Sequence, residues 1–160
     1  MTTLRRILTL TSPEQTTALA GRLAARLAPG DTLLMEGGIG AGKTHFARGL
    51  ILSLLDVAED VPSPTFTLVQ TYDTRAGEVW HADLYRLTGP DEAVELGLAE
   101  AFETAICLVE WPDRLGDDAP DTALRMGFEV AGDTARRVVM QGPADHWRAK
   151  LDGAGLDGTD

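Results

Sequence analysis

Apolar and polar positions along the chain change period several times. Residues 4 to 10 alternate weakly and are rich in Leu and Ile, which predicts a short strand. Ser12-Pro13-Glu14-Gln15 then forms a helix start: Ser12 suits the N-cap, Pro13 the first helical position, and Gln15 completes a capping box. Leu19, Leu23 and Leu27 follow at helical spacing, and Pro29-Gly30 ends that helix. Thr32 to Glu36 is a compact apolar run of the kind found in buried strands. Lys43 to Leu55 holds Phe46, Leu50 and Leu54 at helical spacing, with no proline and one glycine.

Farther along, Val61-Pro62-Ser63-Pro64-Thr65 is stiff and extended, because residues before proline avoid the helical region. Thr67 to Tyr72 and Glu78 to Leu84 predict two strands, joined by a turn over Asp73 to Gly77. Residues 90 to 103 predict one or two short helices around Gly97, and Ala105 to Glu110 another buried strand. Leu124 to Val130 and Arg136 to Met140 predict two late strands with their turn at Gly132-Asp133. Periodicity fades after Gly142. The expected organisation is therefore one domain over residues 1–142 and a flexible tail over 143–160.

Composition narrows the class. Of 160 residues, 44% are hydrophobic and 24% charged, ordinary values for a globular domain. No apolar run approaches the roughly 20 residues a membrane span needs. The N-terminus lacks the apolar core and cleavage site of a signal peptide. A cytoplasmic protein without membrane contact is the expectation. A net charge of −11 argues against direct grip on nucleic acid, which needs clustered Lys and Arg. Cys107, the single cysteine, lies in an apolar run and reads as a buried thiol, and the three scattered histidines have no metal-ligand spacing.

Between the second predicted strand and its helix the chain reads Gly37-Gly38-Ile39-Gly40-Ala41-Gly42-Lys43-Thr44, which fits G-x-x-x-x-G-K-[ST] at every defined position. Glycines let backbone N–H groups turn inward around a phosphate, and the helix that follows adds its own amides and dipole. Lys43, one of only two lysines in the chain, supplies a mobile charge for β- and γ-phosphates; Thr44 supplies a hydroxyl to magnesium. A nucleoside triphosphate is the expected ligand. The chain contains no asparagine, so the N-K-x-D segment by which guanine-specific P-loop proteins read their base cannot exist, and ATP is preferred over GTP.

Magnesium needs one or two carboxylates besides Thr44. Two acids end strands: Asp83, after a partly apolar run, and Glu110, after a fully apolar one. Asp83 is expected to hold the metal through water as the Walker-B-like acid, and Glu110 to contact the metal or orient water. With Lys43 they form the candidate catalytic set. Ser63-Pro64-Thr65 is a candidate sensor of the γ-phosphate. Trp111, directly after Glu110, reads either as core packing or as an aromatic anchor for a partner.

Taken in order, G-x-x-G-A-G-K-T, S-P-T-F-T-L-V, H-A-D-L-Y-R-L, E-L-G-L and C-L-V-E-W-P-D-R resemble the TsaE (YjeE) family over roughly residues 10 to 140. The second and third stretches are far more specific than the phosphate loop. The resemblance implies a weak, magnesium-dependent ATPase required for N6-threonylcarbamoyladenosine (t6A) modification of tRNA. It would act on a TsaD–TsaB heterodimer, with tRNA contacted only indirectly. It also implies an α/β fold, a three-layer sandwich of the P-loop NTPase type with a mixed, mainly parallel sheet. Carried over by position, Gly38, Ile39, Gly40, Ala41, Gly42, Lys43 and Thr44 would bind phosphate. Thr44, Glu110 and Asp83 would lie at magnesium, Thr65 would belong to a nucleotide-sensing loop, and Thr11 with Arg136 or Arg137 would flank the adenine. Two positions depart from the family pattern: Gly38, where many relatives have Asp, and His45, where they carry a hydroxyl. A small-molecule P-loop kinase, or an adaptor that binds ATP without hydrolysing it, are the competing classes; the dispersed arginines speak against a kinase lid.

Overall fold

A computed structural model describes residues 2–38, 40–57, 59–64 and 67–156. The elements run β1 (Thr3–Leu10), α1 (Pro13–Ala24), β2 (Thr32–Glu36), α2 (Lys43–Leu54), β3 (Val69–Thr74), β4 (Gly77–Asp83), α3 (Pro90–Glu95), α4 (Leu98–Thr104), β5 (Ile106–Glu110), a 3₁₀ segment (Pro112–Asp118), β6 (Leu124–Val130), β7 (Arg136–Pro143) and α5 (Ala144–Gly153). The seven strands form one sheet in the order β1-β7-β6-β2-β5-β4-β3. The four central strands pair in parallel, whereas β1–β7, β6–β7 and β3–β4 are antiparallel. The sheet is mixed as expected; its parallel part is the centre, half of the pairings.

Central strands are buried on both faces, so their runs are continuously apolar, and alternate residues feed two cores. Leu33, Met35, Ile106 and Leu108 point to one face, where they meet α1, α2 and α5. Leu34, Cys107 and Val109 point to the other, where α3, α4 and the 3₁₀ segment pack. The result is the three-layer sandwich. Burial pushes the Cys107 thiol up to about 12, which fits the inert thiol read from its apolar surroundings.

Local chemistry explains the boundaries. Ser12 Oγ accepts from the Gln15 amide at 3.2 Å and Pro13 opens α1, while the Gln15 side chain caps the Thr11 amide at 2.7 Å, one residue earlier than in a standard capping box. Gly97, at φ 88°, separates α3 from α4. The β3–β4 hairpin closes over Arg75-Ala76, with Thr74 Oγ1 accepting from Ala76 N and donating to Gly77 O.

The expected flexible tail is corrected over its described part. Residues 144–153 form α5, and Trp147, Leu151 and Leu156 are fully buried in the first core. Trp147 Nε1 donates to Thr122 O at 2.6 Å. Buried Asp31 accepts from His146 Nε2 at 2.7 Å and from Lys150 Nζ at 2.5 Å, fastening the helix to the turn before β2. No helix among the described residues is long and apolar enough to cross a membrane.

Candidate functional site

The loop between β2 and α2 is built on backbone that side chains would not allow. Gly37 has φ 140°, and a Cβ placed there would stand 2.5 Å from the carbonyl oxygen of Phe128 on β6. Gly42, at φ 110°, is the N-cap of α2 and lets the chain enter the helix from the left-handed region. The first amides of α2 have no side-chain cap. They are available to an anion, as in other phosphate-binding helix starts.

Strand parity then brings the acids to this loop. Val79 faces the core shared with α2, so His81 and Asp83, at steps of two, share its face; Ile106 and Leu108 place Glu110 likewise. The β4–β5 register sets Asp83 opposite Glu110. Both acids and Lys43 are buried. Glu110 is a junction: its Oε1 accepts from Thr44 Oγ1 at 2.8 Å, and its Oε2 takes His81 Nε2 at 2.7 Å. Asp83 Oδ1 accepts from the Tyr85 amide at 3.0 Å.

Lys43 Nζ donates to Gly37 O at 2.6 Å and lies 3.8 Å from the centre of the Trp111 ring. Burial holds its ammonium below the usual lysine range, against the opposing pull of Glu110, Asp83 and Asp113. Trp111 itself has φ 60°, rare for a non-glycine residue, and packs against Tyr85 with ring centres 4.8 Å apart and ring planes tilted by 51°. It packs against the second core, as one of the two sequence readings had it, and also lines the site.

These residues line a cleft of about 550 Å³. Gly40, Gly42, Lys43 and Thr44 form its floor, with Asp83, Glu110, Tyr85 and Trp111 on one side. Pro13, Thr16 and His45 with Asp133, Thr134 and Arg136 close the other. Arg136 reaches the loop directly, donating to Gly40 O at 3.3 Å. Arg137 instead pairs with Glu129 on the exposed sheet at 3.1 Å. Thr11 does not line the cleft; its carbonyl accepts from Thr134 Oγ1 at 2.9 Å. Gly38, Ala41 and Ser63 are also not among the cleft's lining residues. Ile39 and Thr65 lie outside the described residues.

Several site residues escaped the sequence. His45 gains a clear role: its Nε2 lies 3.1 Å from both Pro13 O and Thr17 Oγ1, tying α2 to the start of α1. Nothing in its spacing signals that. His81 could have been found, because it is two residues before Asp83 on a strand and so must share its face. Tyr85 lies within the H-A-D-L-Y-R-L stretch, whereas Thr16 carries no motif.

Chemically, the cleft offers amides and a cation to a polyanion. Beside them stand hard oxygen donors for a small cation, Thr44 and Glu110, with Asp83 adjacent. No group of three or more His, Cys, Asp or Glu among the described residues is arranged as a metal cage. Magnesium does not need one, since it keeps several waters and shares phosphate oxygens.

Comparison with known proteins identifies the family and the fold. A family model described as "Threonylcarbamoyl adenosine biosynthesis protein TsaE" matches residues 10–138. Two curated relatives, both named tRNA threonylcarbamoyladenosine biosynthesis protein TsaE, illustrate the spread. The one from Bacillus subtilis (strain 168) is 39% identical, over 81% of this chain and 80% of its own length. The one from Treponema pallidum (strain Nichols) is 33% identical, over 79% and 93%. The crystal structure of YdiB from Bacillus subtilis superposes with a TM-score of 0.78 at 28% identity, covering 97% of both chains.

Proposed function

This chain belongs to the TsaE family, and from that premise we propose that it is a magnesium-dependent ATPase serving t6A modification of tRNA. The observation that carries the proposal is the 2.8 Å hydrogen bond between Thr44 and Glu110. It joins the hydroxyl that follows the loop lysine to a carboxylate at the end of the neighbouring strand, as a magnesium nucleotide site requires.

The triphosphate enters along the loop, its oxygens accepting from the backbone amides at the start of α2. Lys43 gives up its bond to Gly37 O and turns to the β- and γ-phosphates, a short swing for a four-carbon stem. Thr44 and Glu110 would hold Mg2+, with Asp83 acting through water. The bound ion supplies neutralisation of charge on the phosphate oxygens. Arg136, Pro13 and Thr16 also line the cleft, and the nucleoside would extend along them. Hydrolysis joins a water oxygen to the γ-phosphorus, breaks its bond to the bridging oxygen and releases ADP and phosphate. Lys43 steadies the charge that develops on the departing oxygens.

The partners we propose are TsaD and TsaB, with ATP turnover driving their cycle and tRNA held by them rather than by this acidic chain. The test is ATP binding and turnover by the purified protein with and without magnesium. Loss of the charge-assisted bonds in Lys43→Ala should weaken ATP binding about 10- to 100-fold. ATP should be preferred to GTP. A wild type that binds no ATP, or a Lys43→Ala variant that binds equally well, would overturn the proposal.

A further inference from the structure

Fully buried His81 lies in the first core, among side chains that need no hydrogen bond, yet it presents two ring nitrogens. One, Nε2, is 2.7 Å from Glu110 Oε2. The other, Nδ1, is buried and has no hydrogen-bond partner among the described residues. A buried polar atom left unpaired opposes folding, so packing alone does not explain a histidine here. A leucine would fill that place without the cost.

What the ring does is visible at Glu110. This side chain could rotate about its terminal bond, since that torsion is broad. Two donors fix it: Thr44 Oγ1 on Oε1 and His81 on Oε2. A carboxylate offers only acceptors, so the Nε2 that faces it carries a proton. The chain His81–Glu110–Thr44 is continuous from the core to the head of α2.

We propose that His81 is a positioning residue: its Nε2–H locks Glu110 in the orientation that turns Oε1 toward Thr44 and the cation. The inference rests on the magnesium-nucleotide reading of the cleft and assigns a residue outside the phosphate loop to it. Outer partners of metal-holding carboxylates are worth about 10- to 100-fold in metal affinity or activity.

Side-chain reach supplies the test. In place of histidine, a glutamine puts its amide nitrogen where Nε2 stands, whereas an asparagine puts it where Nδ1 stands. The full-length wild type, His81→Gln and His81→Asn are compared by calorimetric titration of ATP in EDTA, by the magnesium concentration at half-maximal turnover, and by maximal turnover. His81→Gln should stay within about threefold of wild type on all three. His81→Asn should need about tenfold more magnesium or lose about tenfold in turnover, while its metal-free ATP affinity changes less than twofold. Equal behaviour of the two variants, or parallel loss of metal-free binding, overturns the role of His81 alone. A wild type with no magnesium response overturns the reading of the cleft and this inference together. A measurement on the unaltered chain guards against misfolded variants: ¹⁵N-imidazole spectra should show His81 protonated at Nε2. An unprotonated Nε2 contradicts the proposal.

Discussion

Lys43, the cation proposed to meet the phosphates, is buried. Desolvation lowers its proton affinity in the folded protein, so the charged form carries a penalty at any pH below its folded value. As pH rises through that value the penalty is relieved, and the attraction for phosphate disappears with the charge. ATP binding should therefore weaken on the alkaline side at a pH below the ordinary lysine range of about 10.4. A Lys43→Met variant should bind weakly throughout and show no such limb in a binding titration across pH. The glycines of the same loop divide sharply. Gly37 sits at φ 140° against the Phe128 carbonyl, whereas a Cβ on Gly38 would meet nothing within 4 Å. Gly37→Ala should lose ATP binding by at least about tenfold through displacement of the loop, and Gly38→Ala should bind like wild type. Lys43, Thr44, Asp83 and Glu110 were legible as residues because each carries its chemistry in a local motif or at a strand end. His81 was legible only through its place two residues before Asp83 on a strand, and His45 carried no such signal, because its contacts are with another helix 32 residues earlier.

Among elements, strands and helices with strong periodicity were read to within a few residues, and Thr32–Glu36 and Leu124–Val130 coincide with the observed bounds. The 3₁₀ segment Pro112–Asp118 and α5 were not read. Helix α5 has only Trp147 and Leu151 as large apolar residues within Ala144–Gly153, too sparse a stripe to stand out beside five polar or charged neighbours. It forms because β1 and β7 offer an uncovered apolar face and Asp31 offers a buried acceptor. Trp147→Ala should cost about 3–5 kcal/mol in a denaturant melt, the range for a buried aromatic truncated in a core. A cost near zero would mean that α5 behaves as a tail after all.

For the whole molecule, the parallel centre of the sheet ends on one side, and the phosphate loop, Asp83 and Glu110 all emerge there from β2, β4 and β5. Open α/β sheets bind ligands outside these carboxyl ends. The sequence indicated this through strand-loop-helix order, and it also indicated the local β3–β4 hairpin at one edge, whereas the antiparallel addition of β1 at the other depends on a pairing between distant segments, Thr3 with Pro143. A chain with a net charge of −11 is poorly suited to grip tRNA by itself, so the proposed function concerns turnover in an assembly. It is tested most directly by reconstituting t6A formation on tRNA with TsaD and TsaB under multiple-turnover conditions, adding this chain as wild type or as Lys43→Ala. The expected result is repeated modification, with ATP hydrolysis stimulated by the heterodimer, for wild type and at most a single round for Lys43→Ala. Equal modification with either protein, or no stimulation of hydrolysis by the heterodimer, would contradict it.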